Sequence, residues 1–212
     1  STGENITTGL QNTLIGGLAG DALTDADFNV AMGYAALGTD TLGSRSVAIG
    51  HGALSVQNFD SATNSHNTAV GFSAGENVTT GTQNTLIGGQ SGDALTSGGD
   101  NTALGYASLG AGIASFYNTA IGTFALNSDT TGRHNVAVGR RALNSQNLTN
   151  SSNVYNVAVG SDSGRSVTTG KENTLIGGLA GDALTDADFN VAVGAGALGA
   201  DTLGSRSTAI GY

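Results

Sequence analysis

The feature that most constrains this chain is a short unit that returns at every seventeenth position. Five-residue units of the form Asn/Ser, Thr/Val, Ala/Leu, aliphatic, Gly begin at Asn12, Asn29, Ser46, Asn67, Asn84, Asn101, Asn118, Asn135, Asn156, Asn173, Asn190 and Ser207. Successive starts keep that spacing except after Ser46 and Asn135, where four positions are added. A unit this short cannot bury its own apolar face, but stacked neighbours can bury it together.

Numbering each coil from that Asn as position 1, position 4 is aliphatic or Met throughout. Position 5 is always glycine: Gly16, Gly33, Gly50, Gly71, Gly88, Gly105, Gly122, Gly139, Gly160, Gly177, Gly194 and Gly211. No helical period of 3.6 runs through the units. They are short, β-branched and glycine-punctuated, which reads as strand and turn. The 35 glycines argue against helices, where each costs about 1 kcal/mol. Proline is absent, which excludes collagen, and 38% apolar against 11% charged residues opposes disorder. The expectation is an all-β chain: one parallel β-solenoid domain over residues 1–212, with about twelve 17-residue coils.

Two exchanges of volume support stacking. Position 9 is Gly in six coils, such as Gly20 and Gly92, and position 12 is then apolar, as in Leu23 and Leu95. In the other six, position 9 is Leu and position 12 is Asp, Gln or Gly, as in Leu37 with Asp40. One interior slot is thus filled from either side, as close packing demands. Where position 3 is Leu, position 6 is Gly, which predicts that the two crowd one surface. Stacked position-1 amides predict an asparagine ladder. The position-5 glycine predicts either a φ > 0 turn or a close backbone approach.

Asn135-Val136-Ala137-Val138-Gly139, Ser46-Val47-Ala48-Ile49-Gly50 and Asn118-Thr119-Ala120-Ile121-Gly122 resemble the YadA-like head (Hep/Hag) repeat of trimeric autotransporter adhesins. Similar repeats are seen in phage tail fibres. The resemblance implies a left-handed parallel β-roll and a homotrimer. It also implies that positions 2 and 4 face each roll's own core, while positions 3 and 5 face the neighbouring subunit.

The chemistry of the chain points away from catalysis. Sixteen acidic against seven basic residues leave no basic stripe for nucleic acid. No apolar run approaches a membrane span of roughly 18 residues, and the opening residues do not read as a secretory signal. Without Cys there are no thiolate sites. His51, His66 and His134 have no metal-ligand spacing. No cofactor is expected; calcium is the one ion weighed, at Asp21, Asp25 and Asp27 of an acidic coil corner, against a solvated acidic turn. Thr recurs at position 13, which raises an ice-binding face as an alternative, interrupted at Asn58, Ile113 and Asn147. The variable columns at position 6 and at the coil ends hold the candidate binding residues Tyr34, His51, Phe72, Tyr106, Tyr117, Arg140 and Tyr155, joined by Arg141 beside them, since aromatics and Arg anchor interfaces.

The reading is a structural and adhesive segment of an extracellular, cell-surface or virion fibre, not an enzyme. Its partners would be its own copies, and a host-surface glycan or protein receptor. A polysaccharide-degrading tailspike is the second alternative, and it would need paired carboxylates in a groove. The four-residue additions, near Asp60-Ser61-Ala62-Thr63 and Thr149-Asn150-Ser151-Ser152, are expected to bulge outward as exposed loops. The segment from Asn12 recurs from Asn173 with five differences, and the last coil position leads into the first. The chain is therefore expected to be an excerpt of a longer solenoid or to stack end to end.

Overall fold

The computed structural model of the chain describes residues 1–148, 150 and 153–212. Among the described residues, twelve three-residue strands, from Thr13–Ile15 to Thr208–Ile210, form one parallel sheet in strict chain order. Thr13 pairs with Val30, Leu14 with Ala31 and Ile15 with Met32, and the same register holds at every step. It survives the two longer coils, where Val47 pairs with Thr68 and Val136 with Val157. Twelve strands make eleven turns; at ~4.8 Å per strand spacing the sheet is roughly 53 Å long. The expected parallel β-solenoid is the fold.

The strand faces correct the sequence reading. Position 3 is the buried one: Ala31, Ala48, Ala69, Leu86, Ala103, Ala120, Ala137, Ala158, Leu175 and Ala192 have no exposed surface. Positions 2 and 4 point outward, so strands such as Val47–Ile49 read half-open, buried, half-open. Alternation along a strand forces 2 and 4 onto one face and 3 onto the other. So short a coil is thin, and the small residue is the one that fits inside. Position 8, Ala or Ser in the eleven full coils, is buried opposite it, from Ala19 to Ala197.

The close approach at position 5 is made within the chain. Gly122 has φ +128°, and a Cβ there would lie 2.6 Å from the carbonyl of Gly139 in the next coil of the same chain. Both readings of this glycine therefore hold at once.

The 9/12 exchange is real and its partner is wider than expected. A Cβ on Gly20 would meet Leu14 at 2.7 Å and Leu23 at 2.9 Å; one on Gly92 would meet Leu86 at 2.7 Å. The position-3 leucines thus fill space left by glycine at position 9, inside the coil. Positions 3 and 6 do not crowd one surface, because Leu86 is buried and position 6 lies outside. Where position 9 is Leu, the polar residue at position 12 still points inward. Asp40 Oδ1 accepts the Gly43 N–H at 2.9 Å and Oδ2 accepts Gln57 Nε2 at 2.6 Å. Gln57 Oε1 in turn accepts Asn67 Nδ2 at 2.8 Å. Asp129, Gln146 and Asn156 repeat the arrangement, at 2.9 Å for both amide contacts.

Each of these polar clusters sits where a plain coil meets a lengthened one. The added residues are not wholly outward loops: Phe59 and Leu148 turn in and are nearly fully buried. Thr63–Asn64 pairs with Gly43–Ser44, and Asn153 bridges to Arg133. Asp60, Ser61, Ala62 and Asn150 are not buried, as expected, while Thr149, Ser151 and Ser152 lie outside the described residues. A buried anchor per insertion explains the unbroken register, because the extra residues leave the sheet and return to it.

Two outcomes follow from this packing. Gly122→Val should abolish soluble protein or lower the melting temperature by many degrees, since it adds both a forbidden φ and a backbone clash; a variant melting within a degree or two of the parent contradicts the stacking. Burial holds the Asp40 and Asp129 carboxyls above their ordinary value of 3.8, with the hydrogen bonds acting against it. A carboxyl raised in the folded state favours folding while protonated, and that stability is lost as pH rises through its folded-state value. The double variant Asp40→Asn, Asp129→Asn lacks this loss. Its stability relative to the parent should therefore increase between about pH 4 and pH 7, measured by calorimetry. A difference independent of pH would contradict it.

Candidate interaction surface

The outward face of the sheet is built from two columns. Position 2 is Thr or Val in every strand, and position 4 is Ile, Val, Leu or Met. Parallel pairing in register stacks each position 4 on the next, so Ile15, Met32, Ile49, Val70 and their successors form one aliphatic ridge. Its members are exposed or half-buried: Ile15 is 54% and Leu104 44% exposed, while Ile49, Val70, Ile87 and Ile121 are half-buried. Neither column holds a charged residue. The ridge runs the length of the sheet, and monomeric proteins rarely leave so long an apolar strip to water.

The candidate binding residues border this face rather than forming a pocket. Position 6 follows the strand. There Tyr34 and His51 stack with ring centres 5.4 Å apart, and His51 stacks on Phe72 at 5.4 Å. The coil-end column precedes the strand. There His134 lies between Tyr117 and Tyr155, 4.9 Å from each. Tyr106 stands apart from both stacks and meets Phe124 edge-on at 5.5 Å. Tyr34, Phe72, Tyr106, Tyr117 and Tyr155 keep half or more of their surface open. In both stacks the ring faces are turned along the solenoid axis toward neighbouring coils, so it is mainly their edges that reach outward.

Arg140 and Arg141 both reach Asp162 one coil on, at 3.3 Å and 2.7 Å. Burial pushes the Asp162 carboxyl upward, but Arg141, then Ser161 and Arg140, outweigh it and hold it below its ordinary value. These arginines are therefore committed to an ion-pair cluster on the turn side.

The calcium candidates do not converge. Asp21 Oδ1 accepts the Ser1 hydroxyl at 2.7 Å, Asp27 Oδ1 accepts the Leu10 N–H at 2.6 Å, and Asp25 accepts the Thr8 hydroxyl. Each carboxylate ties its coil to the one before. No group of three His, Cys, Asp or Glu side chains suited to a metal ion occurs among the described residues. The position-13 threonines are spent in the same way: Thr24, Thr96 and Thr185 each donate to a carbonyl of the next coil at 3.0 Å. Their hydroxyl protons are directed along the stack rather than out to a flat water-facing array.

Sequence reasoning missed the two outer columns, although the pattern held the signal. A strand whose middle residue is Ala or Leu and whose flanking residues are large and β-branched carries more apolar surface outside than inside. It also missed the cation–π contacts of Arg45 over Phe28 and Arg206 over Phe189, at 4.7 Å and 5.0 Å, on successive coil ends. No family model, no curated protein and no solved structure matches the chain.

Proposed function

We propose that the chain is a rod segment of a homotrimeric fibre, displayed at a cell surface or on a virion, that serves structure and adhesion rather than catalysis. The observation that carries this reading is the charge-free ridge of position 4 with its β-branched companion column, which runs the whole length of the sheet with its side chains exposed or half-buried. Three such faces meeting about an axis would bury the ridge of each copy. The aromatic columns at position 6 and at the coil ends would then lie at the margins of the interface, with the turn-side columns facing outward. The resemblance of the repeat to trimeric adhesin heads adds the left-handed winding and the number three. A fibre gains reach cheaply from this design, since each coil adds ~4.8 Å of length with the same few contacts. Its varied outer columns supply the recognition surface that a rigid scaffold commonly carries.

Native mass spectrometry tests the assembly. The expected mass is three times the 20.8 kDa of the chain. Leu104→Asp with Ile121→Asp, on adjacent coils of the ridge, should give a monomer that keeps its β-sheet circular dichroism. A monodisperse 20.8 kDa species for the parent at micromolar concentration contradicts the proposal.

A further inference from the structure

Columns 7 and 10 lie side by side on the turn side, where Gln90, Asp93, Ala107, Gly110 and Asn127 border one open hollow. Six consecutive coils, starting at Asn67, Asn84, Asn101, Asn118, Asn135 and Asn156, carry a directional order in these columns. Column 10 runs Glu76, Asp93, Gly110, Asn127, Asn144, Arg165, acidic at one end and basic at the other. Column 7 has Ala107 and Phe124 on the two central coils, with Gln90 before them and Arg141 after. Smallness at positions 7 and 10 recurs at Gly196 and Gly199, so it is this order on either side that sets the six coils apart.

Both ends of the patch keep charge that the chain does not neutralise. Glu76 and Asp93 stand on neighbouring coils, and no ion pair reaches either among the described residues. Burial raises the Asp93 carboxyl above its ordinary value, and Glu76 adds to the effect. At the other end Arg140 and Arg141 share the one carboxylate of Asp162, and Arg165 has only Asp182, at 3.8 Å. Asp162 is buried, whereas the side chains of Arg140 and Arg165 are 56% and 40% exposed, so this end presents positive charge to its surroundings. The separation of charge reaches beyond the patch. Residues 101–171 hold five of the seven basic residues and two of the sixteen acidic ones, so the rest of the chain is the complement of this segment.

A two-fold axis that crosses the columns between the coils of Asn101 and Asn118 turns the stack end for end. It lays each residue against the one in the same column at the same distance beyond the axis. Glu76 then faces Arg165 of a second copy, Gln90 and Asp93 face its Arg141 and Asn144, and Phe124 faces the small surface of its Ala107 and Gly110. Each contact occurs twice, as an isologous interface requires. Parallel pairing in register would instead set Glu76 on Glu76 and Arg165 on Arg165, which like charges oppose. We propose that this turn-side patch is a docking surface for a second copy of the chain, paired antiparallel. The contact does not use the position-4 ridge, so it stands apart from the trimer reading. Its outermost coils are about 24 Å apart at ~4.8 Å per coil, which puts it among small, transient interfaces of less than about 1,200 Å². Its charge pairs are screened by salt over about 8 Å at physiological ionic strength.

Charge exchange tests the two-fold directly. Column 10 already accepts acid, amide and base on neighbouring coils, so Glu76→Arg and Arg165→Glu should each leave the melting temperature within a few degrees of the parent. Sedimentation velocity across a concentration series should show the parent associating beyond the assembly set by its sheet face. That association should weaken about tenfold or more between ~20 mM and ~500 mM salt. Each single variant should lose it, because the exchanged residue then meets a like charge twice. An equimolar mixture of the two variants should regain it, since both contacts are again between opposite charges, and so should the double variant. A parent whose sedimentation is independent of concentration at low salt overturns the proposal. Single variants that associate like the parent overturn it too, as does a mixture that fails to associate. Retention of the parent on a sulfated polymer without self-association assigns the arginines to an outside anion and also overturns it. A trimer that associates no further refutes this contact and leaves the fibre reading intact.

Discussion

Everything in this fold depends on what one asparagine side chain does in each coil. Its Nδ2 donates across the coil to a carbonyl 14 residues on, as Asn84 does to Gly98 at 2.9 Å and Asn101 to Ser115 at 2.8 Å. Its Oδ1 accepts the backbone N–H of the next asparagine, as Asn101 Oδ1 does from Asn118 at 3.1 Å. The same amide closes its own coil and attaches the following one. It is buried, so leaving either half unmade would cost about 1–3 kcal/mol. The two exceptions to Asn among the twelve units are serines. At Ser46 an amide is supplied from elsewhere, since Gln57 Nε2 donates to the Ser46 hydroxyl at 2.9 Å and Gln57 Oε1 accepts from Asn67.

Closing so short a coil requires sharp corners, and they are made with left-handed backbone. Positions 7 and 9 and the coil end have positive φ in coil after coil, at 49–64° for the non-glycine residues among them. Such a conformation costs a non-glycine residue about 1–3 kcal/mol. Coil-to-coil hydrogen bonds hold it, as in Phe124 N–H to Tyr106 O at 3.0 Å and Leu126 N–H to Ala142 O at 2.9 Å. The composition of these columns fits. In a chain rich in Thr, Val and Ile, none of the residues with positive φ is β-branched, because branching at Cβ is most penalised there. Position 9 alternates between Gly and Leu rather than Gly and Val for the same reason.

The period, the parallel stacking, the asparagine ladder and the glycine column were all legible in the sequence, because each leaves the same or nearly the same residue at a fixed spacing. The direction each strand faces was not. Alternation puts positions 2 and 4 together but does not say which face is inside, and an analogy chose the wrong one. The 9/12 exchange in fact held the answer, since the Leu that fills the slot at Gly92 is Leu86 at position 3. The corners were missed because their signal is an absence of β-branched residues in columns that otherwise vary freely. The insertions were misread in part because Phe59 and Leu148 are single apolar residues in polar surroundings, and only the fold shows that each has an interior to enter. The aromatic columns were found, but their stacking on one another was not, because it depends on a register that the sequence merely allows.

The inside of the solenoid is thus fixed by repetition, and its outside is where the coils differ. The small interior of Ala, Gly and Leu supports each coil only through the next, which makes the backbone contact between coils the central element. Hydrogen–deuterium exchange resolved at single amides tests this most directly. The backbone N–H groups of Asn84, Asn101 and Asn118 should exchange only on global unfolding, as slowly as the strand amides of Thr85, Thr102 and Thr119. Exchange of the asparagine amides at the faster rate of exposed insertion residues such as Ser61, with the strands still protected, would contradict the account.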